Sequence, residues 1–212
     1  MLKGGAFAPP PHERITDAMT AEQPQDPHHD ERELIGDGEL KRGISPQQLK
    51  DVFRNYPSGV GLVTADNGER PIAITVTSVI SVSAEPPLLV FSASAMSSST
   101  PVLLGSETVL VHILTDENAE LAKLGATSGI DRFADTERWH RLPTGEPLFH
   151  GVDTWIRGEV VNHFEAGTST LIVVHALETA ANPDRVGQPL VYHDRTWHAI
   201  GDASRIPDPR TV

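Results

Sequence analysis

The 212-residue chain contains no cysteine. That absence excludes disulfides, thiolate metal sites, iron–sulfur clusters and a cysteine nucleophile. Positive charge is also short: 17 lysines and arginines stand against 29 aspartates and glutamates, a formal net charge of −12. Such a chain repels a phosphate backbone, so no nucleic-acid partner is expected. No apolar run approaches the roughly 18 residues that a spanning helix needs. The opening Met1-Leu2-Lys3-Gly4-Gly5-Ala6 lacks the apolar core of a signal peptide. No membrane association is expected, and a cytoplasmic location is the default. Familiar catalytic motifs are missing too. There is no G-x-x-x-x-G-K-[ST] phosphate loop, no strand followed by G-x-G-x-x-G, no H-E-x-x-H and no G-x-S-x-G. No metal site is expected; His28-His29-Asp30 lies in an acidic stretch and reads as solvated.

What is present divides unevenly. Residues 1–44 carry Pro9, Pro10, Pro11, Pro24 and Pro27, a single aromatic, and the run Asp30-Glu31-Arg32-Glu33. So little apolar surface cannot offset the entropy of ordering, and the segment reads as a disordered or arm-like extension. Residues 45–201 form the expected domain, and 202–212 a tail.

Order begins at Ser45-Pro46-Gln47-Gln48, where Ser45 caps a helix, proline occupies its first turn and Gln48 completes a capping box. Leu49, Val52, Phe53 and Tyr56 repeat at helical spacing until Pro57 and Gly59. Strand character then dominates. Gly59–Ala65 and Pro71–Val82 flank the turn Asp66-Asn67-Gly68, and further strands are expected at Leu88–Ser92, Thr108–Leu114, Val152–Val161, Thr170–Ala176, Pro189–Tyr192 and Trp197–Ile200. Short helices are expected from Thr100-Pro101 and over Glu117–Leu124. Many short strands with few helices point to a mainly β, antiparallel, closed or nearly closed barrel.

The chemistry concentrates between Ala73 and Pro101. Thr75, Thr77, Ser78, Ser81 and Ser83 crowd one strand and its exit, and Ser97-Ser98-Ser99-Thr100 precede Pro101. Hydroxyls and unpaired amides at a helix start can hold an anion; taken alone, such a run more often only fills a loop.

The order of these pieces resembles the flavin reductase family with the FMN-binding split barrel, the small reductase components of two-component flavin-dependent monooxygenases. Five runs carry the resemblance: Phe53-Arg54-Asn55-Tyr56-Pro57-Ser58-Gly59-Val60; Ala73 to Ser83 followed by Pro86-Pro87-Leu88-Leu89-Val90; Ser98-Ser99-Thr100; Asp131-Arg132-Phe133; and Pro189-Leu190-Val191-Tyr192. It covers about residues 47–200.

The resemblance implies a split β-barrel homodimer binding FMN or FAD, with NADH or NADPH as co-substrate and a separate flavin-dependent monooxygenase as partner. Thr75, Val76, Thr77 and Ser78 would line the isoalloxazine ring, supported by Ser81, Val82 and Ser83. Ser92, Ser98, Ser99 and Thr100 would hold the ribityl chain and phosphate, and Phe133 would close the pocket. Ser169, Tyr192 and His193 would lie in the nicotinamide region. No residue stands out as a catalytic acid or base. Four positions depart from the family's pattern: Thr77 replaces an asparagine, Ser99 a frequent basic residue, Ser169 a histidine associated with nicotinamide, and Val79 a phenylalanine. The second implies that a phosphate rests on helix amides more than on a side-chain charge. The third keeps open a flavin carrier or sensor without nicotinamide turnover; a deazaflavin- or haem-using enzyme on the same barrel is the other alternative.

Overall fold

The computed structural model describes residues 43–182, 184 and 187–206. The arm read over residues 1–44 and the tail read over 202–212 lie largely outside them. The chain runs α1 (Pro46–Arg54), β1 (Ser58–Gly59), β2 (Gly61–Asp66), β3 (Pro71–Val76), β4 (Ile80–Ala84), β5 (Pro87–Ser94), α2 (Thr100–Leu104), β6 (Thr108–Ile113), α3 (Ala119–Ala126), β7 (Trp139–Arg141), β8 (Pro147–Phe149), β9 (Thr154–Ala166), β10 (Ser169–Ala181), β11 (Leu190–His193) and β12 (Thr196–Ala199).

Seven strands form one antiparallel sheet in the order β3-β2-β6-β9-β10-β5-β4. Its inner face buries Val63, Ile74, Phe91, Val111, Ile172 and Val174, with Leu103 of α2 beneath. The barrel is split, because its two free edges belong to β3 and β4, which are consecutive in the chain. The linker Thr77-Ser78-Val79 crosses that opening. The expected single strand Pro71–Val82 is therefore two strands with a break. The break has a local cause: Ser78 Oγ accepts from Ser92 N–H at 2.9 Å and lies 3.0 Å from Ser92 Oγ, which turns the chain onto β5.

A second core covers the outer face of β2 and β3. Leu62 and Ala73 meet Leu121 and Ala122 of α3, and Phe133, Phe149 and Leu190 complete it. Gly125 allows α3 this close: a Cβ there would lie 2.4 Å from Leu62 Cδ1 and from Thr75 Oγ1. Beyond the expected elements, a hairpin of β7 and β8 packs Trp139 edge-on against Phe133, with ring centroids 4.9 Å apart. A three-stranded sheet, β1-β11-β12, holds the turn Asp194-Arg195. Both its residues are left-handed, at φ 44° and 61°. Among the described residues no helix is long and apolar enough to cross a membrane.

Candidate active site

Strand β3 joins two hollows. Its first residues, Pro71, Ile72 and Ala73, line a cavity of about 440 Å³ shared with Arg70, Ser99, Ile130, Asp131, Arg132 and Phe133. Thr77, just past its end, borders a cleft of about 320 Å³ with Phe53, Tyr56, Tyr192, His193 and Arg195. A strand advances about 3.3 Å per residue, so Ala73 and Thr77 lie roughly 13 Å apart.

The cavity at the start of β3 suits an anion. Ser99 is 2% exposed, its hydroxyl makes no helix cap, and it bonds to no other described residue. Ser99 lines the cavity. Arg132 donates through Nε to Leu124 O at 3.2 Å and through a terminal nitrogen to Thr127 O at 2.6 Å, tying its loop to the end of α3. Desolvation lowers its pKa from the ordinary guanidinium value, a penalty that a nearby negative charge relieves. Arg70 donates to Ser98 O at 2.7 Å.

The expected site residues fall into several groups. Thr75 turns its hydroxyl away, donating to Ala122 O of α3 at 2.7 Å, so only its backbone is left for a ligand. Val76 buries its side chain in the first core. Thr77 is exposed at the cleft, and Ser78 and Ser92 bond to each other. Ser81, Val82 and Ser83 lie on β4 at the far edge of the sheet, and none lines either hollow. Ser98 presents its carbonyl to Arg70. Thr100 is not the cap of α2 but its first residue, after Ser99, and its hydroxyl donates inward to Ser94 O at 2.6 Å. Phe133 is part of the cavity wall, held by Trp139 and Phe149. Ser169 pairs with Ser94 in the large sheet, whereas Tyr192 and His193 sit on the three-stranded sheet and line the cleft.

The sequence places a phosphate on helix amides more than on a side-chain charge. The helix is only five residues long, and two guanidinium groups line the cavity beside its start. Arg70 follows a turn and reads in the sequence as a solvated charge. Arg132 was visible only as part of Asp131-Arg132-Phe133.

Residues 53–201 match the family model described as the flavin reductase like domain. The chain belongs to this family. It is 36% identical over 171 residues to an NADH:FMN oxidoreductase of Rhodococcus qingshengii, covering 78% of this chain and 88% of that protein. A flavin reductase domain protein from Arthrobacter sp. FB24 superposes with a TM-score of 0.68 at 30% identity, covering 73% of this chain and 95% of the other. The flavin reductase component of a bacterial two-component tryptophan halogenase gives 0.67 at 26% identity, covering 74% and 99%.

Proposed function

We infer that this flavin reductase family protein catalyses NAD(P)H-dependent reduction of FMN or FAD and releases the reduced flavin to a separate flavin-dependent monooxygenase. The observation that carries the reading is strand β3. It leads from an anion-suited cavity to an aromatic cleft over roughly 13 Å, a span that matches a flavin mononucleotide from its phosphate into its ring, not the ribityl chain alone. The flavin phosphate end lies with Ser99, Arg70 and Arg132; the ring lies toward the linker Thr77-Ser78. The free edge of β3 offers backbone groups to the ring's polar rim, and Thr77 adds a hydroxyl. Bound flavin supplies the hydride-accepting ring, and the dinucleotide supplies the hydride.

The residues around the linker position the reactants and exclude water. Tyr192, Phe53 and Tyr56 give the cleft aromatic surface for a second planar ring. Lys50 and Arg195, neither of which has a carboxylate partner among the described residues, give its rim positive charge for the dinucleotide's phosphates. No side chain needs to trade a proton in a hydride transfer, and none at the linker is placed to do so. With no cysteine in the chain, a cysteinyl thioether anchor is excluded, which suits a flavin that exchanges.

A homodimer completes the reading. In the single chain α1 buries nothing, its Val52 being 65% exposed, and Ile80 and Val82 on β4 are 59% and 57% exposed. Burying a side chain of this kind is worth about 1.5–3 kcal/mol, which favours a second copy over this face. Steady-state oxidation of NADH and NADPH, with and without added FMN, FAD and riboflavin, tests the activity. Turnover that requires flavin and rises with its concentration is expected. A background rate with every flavin, while flavin still binds, sinks the reductase reading in favour of the carrier.

A further inference from the structure

We propose that Arg70 sets the preference of this site for phosphorylated flavins over riboflavin, an inference that rests on the flavin-binding reading above. Three observations converge on it. Arg70 lines the same cavity as Ser99, a residue only 2% exposed whose hydroxyl makes no cap bond to α2. Arg132, the other guanidinium there, commits Nε and one terminal nitrogen to the carbonyls that end α3. Arg70 commits one terminal nitrogen, to Ser98 O at 2.7 Å, and has no carboxylate partner among the described residues. Most of its donors are therefore available to a ligand.

Its position is fixed from both sides. The β2–β3 turn is closed by Asp66 Oδ1, which accepts from Gly68 N–H at 2.8 Å, and by Asn67 Oδ1, which accepts from Glu69 and Arg70 N–H at 3.1 and 3.4 Å. Asp66 Oδ2 also receives Arg141 at 2.6 Å, which pins the turn to the β7–β8 hairpin. The bond to Ser98 then ties Arg70 to the segment entering α2. A planar guanidinium held this way presents parallel donors to phosphate oxygens. Its charge also matters because the chain as a whole carries a net charge of −12, which works against an incoming phosphate.

The test is a fluorescence-quench titration of the full chain with FMN and with riboflavin, at low and raised salt. For wild type, FMN affinity falls with salt and riboflavin affinity does not. Arg70→Gln is expected to weaken FMN about tenfold or more, to leave riboflavin within about twofold, and to flatten the salt dependence, since a charge-assisted bond is lost. Arg70→Lys should recover part of the FMN affinity. Riboflavin binding by Arg70→Gln doubles as the check that the variant folds. Equal weakening of both flavins makes Arg70 a structural tie only and overturns the proposal; unchanged FMN binding overturns it as well. If wild type binds neither flavin, the flavin reading itself falls and takes the proposal with it.

Discussion

Arg157 Nε donates to Glu146 Oε1 at 2.7 Å, and Glu146 is only 3% exposed. The same carboxylate accepts from the hydroxyls of Thr108 and Thr144. One buried group thus joins the β7–β8 hairpin to β6 and β9, and through the hairpin supports the wall that carries Phe133. Burial works to raise the Glu146 pKa, but the bonds from Thr108, Thr144, its own backbone and Arg157 together hold it below the usual carboxylate value. Glu146→Gln leaves Arg157 without its counter-charge. Removing one partner of a buried pair costs about 3–5 kcal/mol; the 16% exposure of the Arg157 side chain places the expected loss at the lower end. Urea unfolding at neutral pH checks this, and a loss below about 1 kcal/mol would mean that the hydroxyls alone hold the cluster.

His112 is fully buried between Leu62 O, 3.0 Å from Nδ1, and Phe149 N–H, which donates to Nε2 at 3.3 Å. Those bonds hold a neutral ring. Desolvation lowers its pKa from 6.5 to about 4, against smaller opposing contributions from the Leu62 and Leu110 backbone. The unfolded chain takes up a proton near pH 6.5 and the folded one only near 4. Stability from this group is therefore complete above pH 6.5 and lost as pH falls toward 4. At about 1.4 kcal/mol per unit the loss reaches roughly 3 kcal/mol. Urea midpoints measured between pH 7 and 4 should show this slope. His112→Gln should flatten it, at a cost in stability at neutral pH.

The capped start of α1 was fully legible, because Ser45 and Gln48 form the box their spacing implies. Strand positions were legible where alternation is clean and failed where bonding interrupts it. β9 and β10 run to Ala166 and Ala181, past their expected ends, because bulges at Val173/Val174 and Ala176/Glu178 shift the alternation partway. The β7–β8 hairpin was missed because each of its strands has three residues, too few to show a period. The hydroxyl cluster before Pro101 was visible. Which hydroxyls face inward was not, since Thr100 finds Ser94 and Thr75 finds Ala122 only in three dimensions.

Gly125 faces Thr75 so closely that a methyl group cannot be added without movement: the new Cβ would also lie 2.9 Å from Thr75 N. Gly125→Ala should push α3 away from β3, break the Thr75–Ala122 bond and cost about 1–3 kcal/mol. Thermal melts check the stability loss, and flavin titration checks a parallel loss of affinity for FMN and riboflavin alike. An unchanged melting temperature would show that α3 yields freely.

The exposed apolar face of α1 and β4 predicts a dimer. Light scattering at micromolar concentration should give twice the 22.9 kDa chain mass. Val52→Asp together with Ile80→Asp should shift the population toward monomer, since each places a charge in a desolvated interface. A wild-type monomer would leave this face without its proposed cover.

Ser99 and Thr100 are adjacent and both buried, at 2% and 4% exposure, yet the structure gives them opposite tasks. Thr100 donates to Ser94 O, so its hydroxyl holds the end of β5 against α2. Ser99 makes no cap bond through its hydroxyl and lines the cavity beside Arg70 and Arg132. Thr100→Ala should therefore lower stability by about 1–2 kcal/mol and weaken FMN and riboflavin together, because the loop loses its anchor. Ser99→Ala should leave the melting temperature almost unchanged, since no protein bond is lost. It should weaken FMN alone, by about 1.5–3 kcal/mol for one hydrogen bond to a charged group, or roughly ten- to a hundredfold in Kd. Paired titrations with FMN and riboflavin on both variants separate the roles. If Ser99→Ala leaves FMN affinity unchanged, the phosphate does not sit in this cavity, and the placement of the flavin along β3 must be reversed.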